Sequence, residues 1–306
     1  MMKKIKAFLY LMVAAAVVSC KTENKKSETQ TQKTVTKIEV QGHRGDRGNF
    51  PENSLPAFIS AVKKGVDVIE LDVVISKDNK VVVSHEPFMS SLYVLTPAGN
   101  SIAKKDEKSY NLYTMMYDSI KKFDGGSKGN KNFTQQDKIK VYKPLLSEVL
   151  DSVENYIAAN KLKPVKYNIE IKSVKEEYGI SQPQPEAFAD MVMAIIQNKG
   201  ITDRINIQSF DPAPLNIIKS KYPDVKIAFL TSKPGIENNL SQLDFIPEIY
   251  SPNYKLVNKA FTDSIKNKNI KLIPWTVNEP GDIDLMIKLK ADGIITDYPE
   301  RVIDKL

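Results

Sequence analysis

The feature that most constrains this chain is a regular alternation of short apolar strands and amphipathic helices. Strands are predicted at 38–42, 66–75, 167–171, 205–210, 226–230, 249–251, 272–277 and 293–296. The helices between them are predicted at 55–64, 145–159, 186–198, 212–221, 259–268 and 281–290. Strands joined through helices pair in parallel, and about eight of them favour a closed α/β barrel, (β/α)8, over an open doubly wound sheet. No glycine-rich phosphate loop follows any strand, so nucleotide-binding folds lose support, and no nucleic-acid partner is expected.

The first nineteen residues predict an export signal. Lysines at 3, 4 and 6 precede the apolar run 7–18, which is short for a membrane span. The segment before Cys20 resembles a bacterial lipobox, which implies cleavage before Cys20 and lipid attachment to it. The alternative is a plain signal peptide that happens to end in cysteine. Lipidation would explain the single thiol of an exported chain, and it predicts a lipoprotein anchored at the periplasmic face or the cell surface.

Residues 20–36 continue from the lipidated cysteine as a polar tether. The stretch has almost no apolar residues and no helical or strand period, so it is expected to be disordered. Residues 37–306 remain, a length that suits one barrel domain. The formal charge of +7 is compatible with attraction of an anionic substrate. It is equally compatible with a lysine-rich solvated surface.

The interval 87–143 interrupts the alternation. It is polar, holds several tyrosines and contains a Gly-Gly-Ser-Lys-Gly segment. A structureless loop of this length is uncommon in a compact domain, so we interpret it as a small insertion after the second strand. In a barrel that position is the rim above the active site. The alternative is a flexible excursion without a role.

Carboxylates stand inside two of the buried strands. Glu70 and Asp72 are two positions apart and therefore share one strand face, as do Glu170 and Lys172. All lie toward the C-terminal ends of their strands, where barrels gather catalytic residues. A single acid there would be read as a salt bridge. Three converging acids favour a divalent cation, and oxygen-only donors suit Ca²⁺ or Mg²⁺.

The two histidines of the chain follow neighbouring predicted strands. His43 lies in Gly-His-Arg-Gly after the first strand, and His85 follows the strand 81–84, which is read as extending the second strand beyond a polar turn at 76–80. Two imidazoles near one cavity can act as an acid–base pair near neutral pH. Arg44 suits bidentate phosphate binding and Lys172 adds a second positive charge. This set predicts a phosphodiester site.

At this point the chain resembles the glycerophosphodiester phosphodiesterase family, which has a TIM-barrel plan. The resemblance covers the whole domain in order. The matching segments are HRGDRGNFPENSLPAF (43–58), ELDVVISKDNKVVVSHE (70–86), PLLSEVL (144–150), IEIK (169–172), QSF (208–210), WTVN (275–278) and DGIITDYP (292–299).

The resemblance implies a role for each candidate residue. Glu70, Asp72 and Glu170 would bind Ca²⁺ or Mg²⁺, with His43 as base, His85 as acid, and Arg44 and Lys172 on the phosphate. The implied reaction is attack by the neighbouring glycerol hydroxyl, expulsion of the alcohol, and opening of the cyclic phosphate by water to give glycerol 3-phosphate. Trp275 would form part of the wall of the barrel mouth, and a role in core packing is an equal alternative.

Two departures from the family pattern stand out. Glu86 follows the second histidine where the family usually has aspartate, and the segment 88–113 lacks the usual arginine-containing stretch. Head-group preference is therefore open. A relative that cleaves phospholipids or lysophospholipids is an alternative, favoured if the run 92–95 forms an apolar rim. A non-catalytic binding lipoprotein is an alternative of another class. The oligomeric state is not predicted.

Overall fold

The computed structural model describes residues 37–306. The predicted export signal, Cys20 and the tether lie outside these residues, so the structure does not bear on them. Within the described part the strands are β1 Glu39–Gly42, β2 Val68–Ile75, β3 Val81–Val83, β4 Lys166–Ile171, β5 Ile205–Ser209, β6 Lys226–Thr231, β7 Ile249–Pro252, β8 Lys271–Leu272 and β9 Gly293–Thr296.

The helices cover the outside of the sheet and lie mostly between successive strands. They are α1 Leu55–Lys64, α2 Tyr117–Ile120, α3 Leu146–Ala159, α4 Pro185–Lys199, α5 Pro212–Lys221, α6 Ile236–Leu240, α7 Lys259–Asn267, α8 Pro280–Lys288 and α9 Pro299–Ile303. No helix of residues 37–306 has both the length and the apolar character needed to cross a bilayer.

Eight parallel strands form a nearly closed barrel. The strand order is β8-β7-β6-β5-β4-β2-β1-β9. Between β8 and β9 the ring is completed by single backbone hydrogen bonds, from Asp292 N to Leu272 O (2.8 Å) and from Ile295 N to Pro274 O (3.1 Å). The (β/α)8 prediction is confirmed. Every residue of β2 is buried, because helices cover its outer face and the barrel centre covers its inner face.

Local sequence explains where α1 begins and ends. The Ser54 hydroxyl accepts from Ala57 N, Pro56 occupies the first turn, and Gly65 ends the helix with φ of 84°. Proline in the first turn and a left-handed glycine after the last are the usual helix boundaries. The apolar stripe, including Phe58 and Val62, packs into the main core.

Two strand predictions are wrong. Residues 81–83 do not extend β2 but fold back on it as the antiparallel strand β3, with Val73 opposite Val83. The polar turn at 76–80 reverses the chain, so His85 does not follow a barrel strand. The strand predicted over 272–277 stops at Leu272. Pro274 lacks the N–H that a continuing ladder needs.

The interval 87–143 has a small apolar core of its own. Its buried side chains are Met89, Tyr93, Val94, Ile102, Leu112, Tyr117, Ile120 and Phe123, and they pack with Val74 and Val82 of the β2–β3 hairpin. Because Tyr93 and Val94 are buried there, the run 92–95 does not form the apolar rim that a lipid-cleaving enzyme would use.

Candidate active site

Three carboxylates converge at the C-terminal mouth of the barrel. The β2–β4 register places Asp72 directly beside Glu170, and Glu70 lies two residues earlier on the same inner face. One oxygen from each of these three side chains lies within 4.8 Å of the others, and all three residues are buried. The sequence prediction that these acids share one site agrees with this geometry.

Each carboxylate is held by neighbouring donors. Glu70 accepts from the Arg44 backbone N–H and from Gln208 Nε2, both at 2.8 Å. Asp72 Oδ2 accepts from Asn53 Nδ2 at 2.8 Å. Glu170 accepts from Lys172 Nζ at 2.6 Å. These contacts fix the carboxylates in place without neutralising all of their charge.

The electrostatics of the cluster fit a bound cation. Burial, and then the charges of Asp72 and Glu170, raise the pKa of Glu70 well above its ordinary value. Burial alone would also raise the pKa of Asp72, but Arg44 and its basic neighbours outweigh it and hold that pKa low. Asp72 Oδ1 and Arg44 Nε are buried and have no hydrogen-bond partner among the described residues. An unpartnered carboxylate oxygen inside a repulsive acidic cluster is what a divalent cation satisfies.

His43 is oriented by a carboxylate from the other end of the chain. Its backbone N–H donates to Thr296 O at 2.9 Å, and its Nδ1 lies 2.6 Å from Asp297 Oδ1. Asp297 Oδ2 in turn accepts from Asn278 Nδ2 at 2.7 Å. Burial lowers the pKa of His43, partly offset by Asp297. The other ring nitrogen, Nε2, is not part of this contact with Asp297.

His85 is oriented by its neighbour in sequence. It follows β3, and the Ser84 N–H donates to Asp72 O at 3.0 Å, which sets His85 at the level of the carboxylates. Its Nδ1 lies 3.1 Å from Glu86 Oε1, and Glu86 Oε2 accepts from the Tyr93 hydroxyl at 2.6 Å. Glutamate at position 86 therefore reaches the imidazole that follows β3.

The two predicted phosphate ligands are both present at the mouth, each already paired with acids. Arg44 has a left-handed backbone, φ of 52°, and its guanidinium lies 2.7 Å from Glu52 and 3.3 Å from Asp72. Lys172 Nζ lies 2.6 Å from Glu170 and 3.6 Å from Asp72. Gly45 is required beside Arg44, since a Cβ there would come within 2.7 Å of the Ala57 backbone.

A cavity of about 150 Å³, the catalytic cavity, joins these groups. Its walls include every predicted catalytic, phosphate-binding and metal residue except Asp72, which lies beneath them. Trp275 also lines it, donates from Nε1 to Ser251 O at 2.8 Å, and packs edge-on against Phe210. Trp275 thus forms part of the mouth and part of a small apolar cluster.

Sequence reasoning missed three polar residues of the site. Arg47 and Gln208 line the catalytic cavity, and Asp297 supports His43. All three lie in segments that carry the family resemblance, but strand periodicity gave Gln208 and Asp297 no role. Arg47 follows β1 by a few residues in an irregular turn, where no pattern singles it out.

A buried acidic cluster and two carboxylate-supported histidines at the mouth of a parallel barrel define a phosphodiester hydrolase. The chain belongs to the glycerophosphoryl diester phosphodiesterase family, whose profile matches residues 43–301. The enzyme interpretation is therefore confirmed at the level of the family, and the alternative of a non-catalytic binding lipoprotein loses its support.

Similar proteins agree with this assignment. The chain is 31% identical over 265 residues to a glycerophosphodiester phosphodiesterase of Caldanaerobacter subterraneus subsp. tengcongensis, covering 87% of this chain and 96% of that one. It is 24% identical over 282 residues to a lysophospholipase D of Homo sapiens, covering 86% and 84%.

Solved structures share the fold. An Oleispira antarctica phosphodiesterase in complex with the product sn-glycerol-3-phosphate superposes with a TM-score of 0.69 at 20% identity, covering 87% of this chain and 95% of that one. A glycerophosphodiester phosphodiesterase of Thermotoga maritima superposes with a TM-score of 0.61 at 24% identity, covering 88% and 99%.

Proposed function

We propose that this protein hydrolyses glycerophosphodiesters to glycerol 3-phosphate and an alcohol, using a divalent cation. The observation that carries the proposal is the buried trio Glu70, Asp72 and Glu170, with oxygens within 4.8 Å of one another beside two histidines. The family profile and the named relatives support the same substrate class.

Glu70, Asp72 and Glu170 would hold the cation, and their oxygen donors suit Ca²⁺ or Mg²⁺. When bound, such an ion neutralises charge that builds on the phosphoryl oxygens. Arg44 and Lys172 contribute fixed positive charge on the same side. Their ion pairs with Glu52 and Glu170 keep both side chains ordered before substrate arrives, which lowers the cost of binding.

Proton transfer is assigned to the two histidines. In the first step His43 takes the proton of the neighbouring glycerol hydroxyl as its oxygen bonds to phosphorus, and His85 gives a proton to the departing alcohol oxygen. In the second step His85 takes a proton from the attacking water, and His43 returns one to the glycerol oxygen as the cyclic ester opens. Asp297 and Glu86 hold the two rings in place through Nδ1.

The test uses residues 37–306 stripped of metal and then assayed for release of glycerol 3-phosphate from glycerophosphocholine and glycerophosphoethanolamine. Activity is expected to return with Ca²⁺ or Mg²⁺, and His43→Ala and Glu70→Ala are expected to abolish it. Full activity in the chelated protein would refute the cation's role. A folded protein that releases nothing with either ion would refute the reaction.

A lipid substrate is the second candidate. Val174, Ile180 and Phe210 are 53%, 61% and 40% exposed in the loops after β4 and β5, at the mouth. The relatives that are named lysophospholipase D support this alternative. Release of choline from lysophosphatidylcholine, faster than from glycerophosphocholine, would favour it.

We also propose that the chain is exported and anchored through lipid on Cys20. The support is the sequence alone: an N-terminal signal pattern and a lipobox-like segment before the single cysteine. Expression of the full chain and of Cys20→Ser tests the anchor. The first is expected in the membrane fraction, and the variant is expected to leave it. Equal membrane association of the two would refute lipidation.

A further inference from the structure

A second cavity opens directly beside the catalytic one, and we call it the side groove. Its volume is about 220 Å³, and it shares His85, Glu170, Lys172 and Phe210 with the catalytic cavity. Beyond those four residues its walls are Pro87, Ser173, Val174, Glu177, Ser181 and Gln182. Most of the exposed wall is carbon, so the groove is built for an apolar surface rather than for a sugar or a polyol.

The positions of the two histidines indicate which part of the substrate lies in which cavity. His85 lines the side groove, whereas His43 lines only the catalytic cavity. Under the proposed function, on which this inference rests, His85 protonates the alcohol that leaves. The carbon chain of that alcohol therefore continues from His85 into the side groove. Glycerol remains in the catalytic cavity, where the Arg47 guanidinium offers a polar contact.

One carboxylate at the groove lacks a cationic partner. Glu177 is half-buried and accepts a hydrogen bond from Ser181 Oγ at 2.8 Å, but it takes part in no ion pair among residues 37–306. Lys172, the lysine that lines the groove, is paired instead with Glu170 and Asp72 at 2.6 Å and 3.6 Å. Because Glu170 balances Lys172, Glu177 leaves a net negative charge on the groove lining, and it does not line the catalytic cavity.

An aromatic face completes the environment. Phe210 lines the groove, is 40% exposed, and is braced by Trp275 with ring centroids 5.3 Å apart at 87°. The Lys172 ammonium lies 6.0 Å from the centroid of the Phe210 ring, but its charge is balanced by Glu170 at 2.6 Å. An aromatic ring, an apolar wall and one carboxylate match a quaternary ammonium group, whose positive charge is spread over methyl surface. A primary ammonium matches less well, because its N–H donors would meet mostly carbon.

We infer that the side groove binds the quaternary ammonium of a choline-type leaving alcohol, with Glu177 and Phe210 as the residues that determine this specificity. The preferred substrate is then glycerophosphocholine rather than a diester with a neutral alcohol of similar size.

The kinetic test compares kcat/KM for glycerophosphocholine with kcat/KM for glycerophosphoglycerol at one ionic strength. The unmodified protein is expected to favour the choline ester. Glu177→Gln is expected to lower the ratio about tenfold, because a half-buried carboxylate attracts a cation more strongly than a fully solvated one does. Phe210→Leu is expected to lower it as well.

Glu176→Gln is the matched control for charge. It removes one carboxylate from the same segment, is exposed, and does not line the side groove. Its ratio is expected to equal that of the unmodified protein. Thermal melting of each variant verifies that it is folded. A ratio unchanged in Glu177→Gln, or lowered equally in Glu176→Gln, would overturn the inference.

A binding measurement separates the groove from the reaction. Trp275 is the single tryptophan of the chain and contacts Phe210, so its fluorescence reports on the groove. Titration with tetramethylammonium, against sodium at equal ionic strength, is expected to saturate, and Glu177→Gln is expected to raise the Kd about tenfold. Saturation without hydrolysis of either diester would support quaternary ammonium binding in the side groove and would refute the proposed reaction. Fluorescence that does not change on titration would refute quaternary ammonium binding in the side groove, even if both diesters are hydrolysed.

Discussion

His43 and Asp297 are 254 positions apart in the chain, yet 2.6 Å separates Nδ1 of the imidazole from Oδ1 of the carboxylate. The contact exists because β1 pairs with β9, so the residues that follow these two strands meet at the mouth. The first and last strands of the barrel therefore build the proposed base together.

Asp297→Asn is expected to reduce kcat by roughly 10²–10⁴-fold, because an amide does not stabilise the charged imidazole or select its tautomer as a carboxylate does. Steady-state kinetics on glycerophosphocholine measure the loss. Asp304→Asn, an exposed aspartate near the C-terminus, is the control and is expected to retain full activity. A loss below about threefold in Asp297→Asn would contradict the positioning role.

The pH profile should show an acid limb below the ordinary histidine pKa of 6.5. Burial lowers the pKa of His43, and a base works unprotonated, so kcat/KM should hold as the pH falls through 6.5 and decline only below it. Asp297 raises that pKa, so the residual activity of Asp297→Asn should have its acid limb at still lower pH. An acid limb above 6.5, or a shift of the variant toward higher pH, would contradict this assignment.

Tyr93→Phe should destabilise the protein more than it slows the reaction. The variant removes the donor to Glu86 Oε2 at 2.6 Å, and a hydrogen bond to a charged group contributes about 1.5–3 kcal/mol. Since Glu86 is partly solvated, about 1–2 kcal/mol of the free energy of unfolding is expected to be lost in urea denaturation. Tyr113→Phe, a half-buried tyrosine of the same segment, should change it little. Equal losses in the two variants would show that the Tyr93 hydroxyl contributes nothing specific.

Cation binding should raise the melting temperature of the metal-free protein. A ligand at one hundred times its Kd stabilises by about 2.7 kcal/mol, or roughly 5–10 °C for a domain of this size. Glu70→Gln should lose most of this increase, because it removes one of the three converging carboxylates. Glu176→Gln should keep it. An undiminished increase in Glu70→Gln would place the cation elsewhere.

Leu150→Ala tests whether activity depends only on the mouth. Leu150 is 1% exposed in α3 and belongs to the main core. Its truncation is expected to lower the free energy of unfolding by about 2–5 kcal/mol, measured by urea denaturation. Below the unfolding transition kcat should remain close to that of the unmodified protein. A large fall in kcat of the folded variant would mean that the core and the mouth are mechanically coupled.

The repeating strands and helices could be predicted from the sequence, because the spacing of apolar residues and the residues at helix boundaries are local signals. Helix α5 was predicted at 212–221 and begins and ends there. The strand at β8 was predicted too long, because the apolar run 272–277 was taken as one strand although Pro274 cannot continue its ladder. The reversal that creates β3 was also missed, because a polar turn does not reveal which way the chain continues.

The site residues also divide into those with a local sequence signal and those whose role depends on the fold. Glu70, Asp72 and Glu170 were identified because alternation along a strand puts their side chains on the inner face. Asp297 and Tyr93 were missed because each acts through hydrogen bonds that depend on the folded geometry and leave no period in the sequence. Glu86 was noticed only as a departure from the family pattern, and its contact with His85 depends on the hairpin geometry.

The pairing of β1 with β9 has a consequence for the newborn chain. The three acids of the cluster and His85 have all been synthesised once the chain reaches Glu170, well before β9. Asp297 is synthesised long after them, and His43 meets this carboxylate only when β9 has paired with β1. An incomplete chain that still lacks β9 therefore carries the acids without the carboxylate that orients His43.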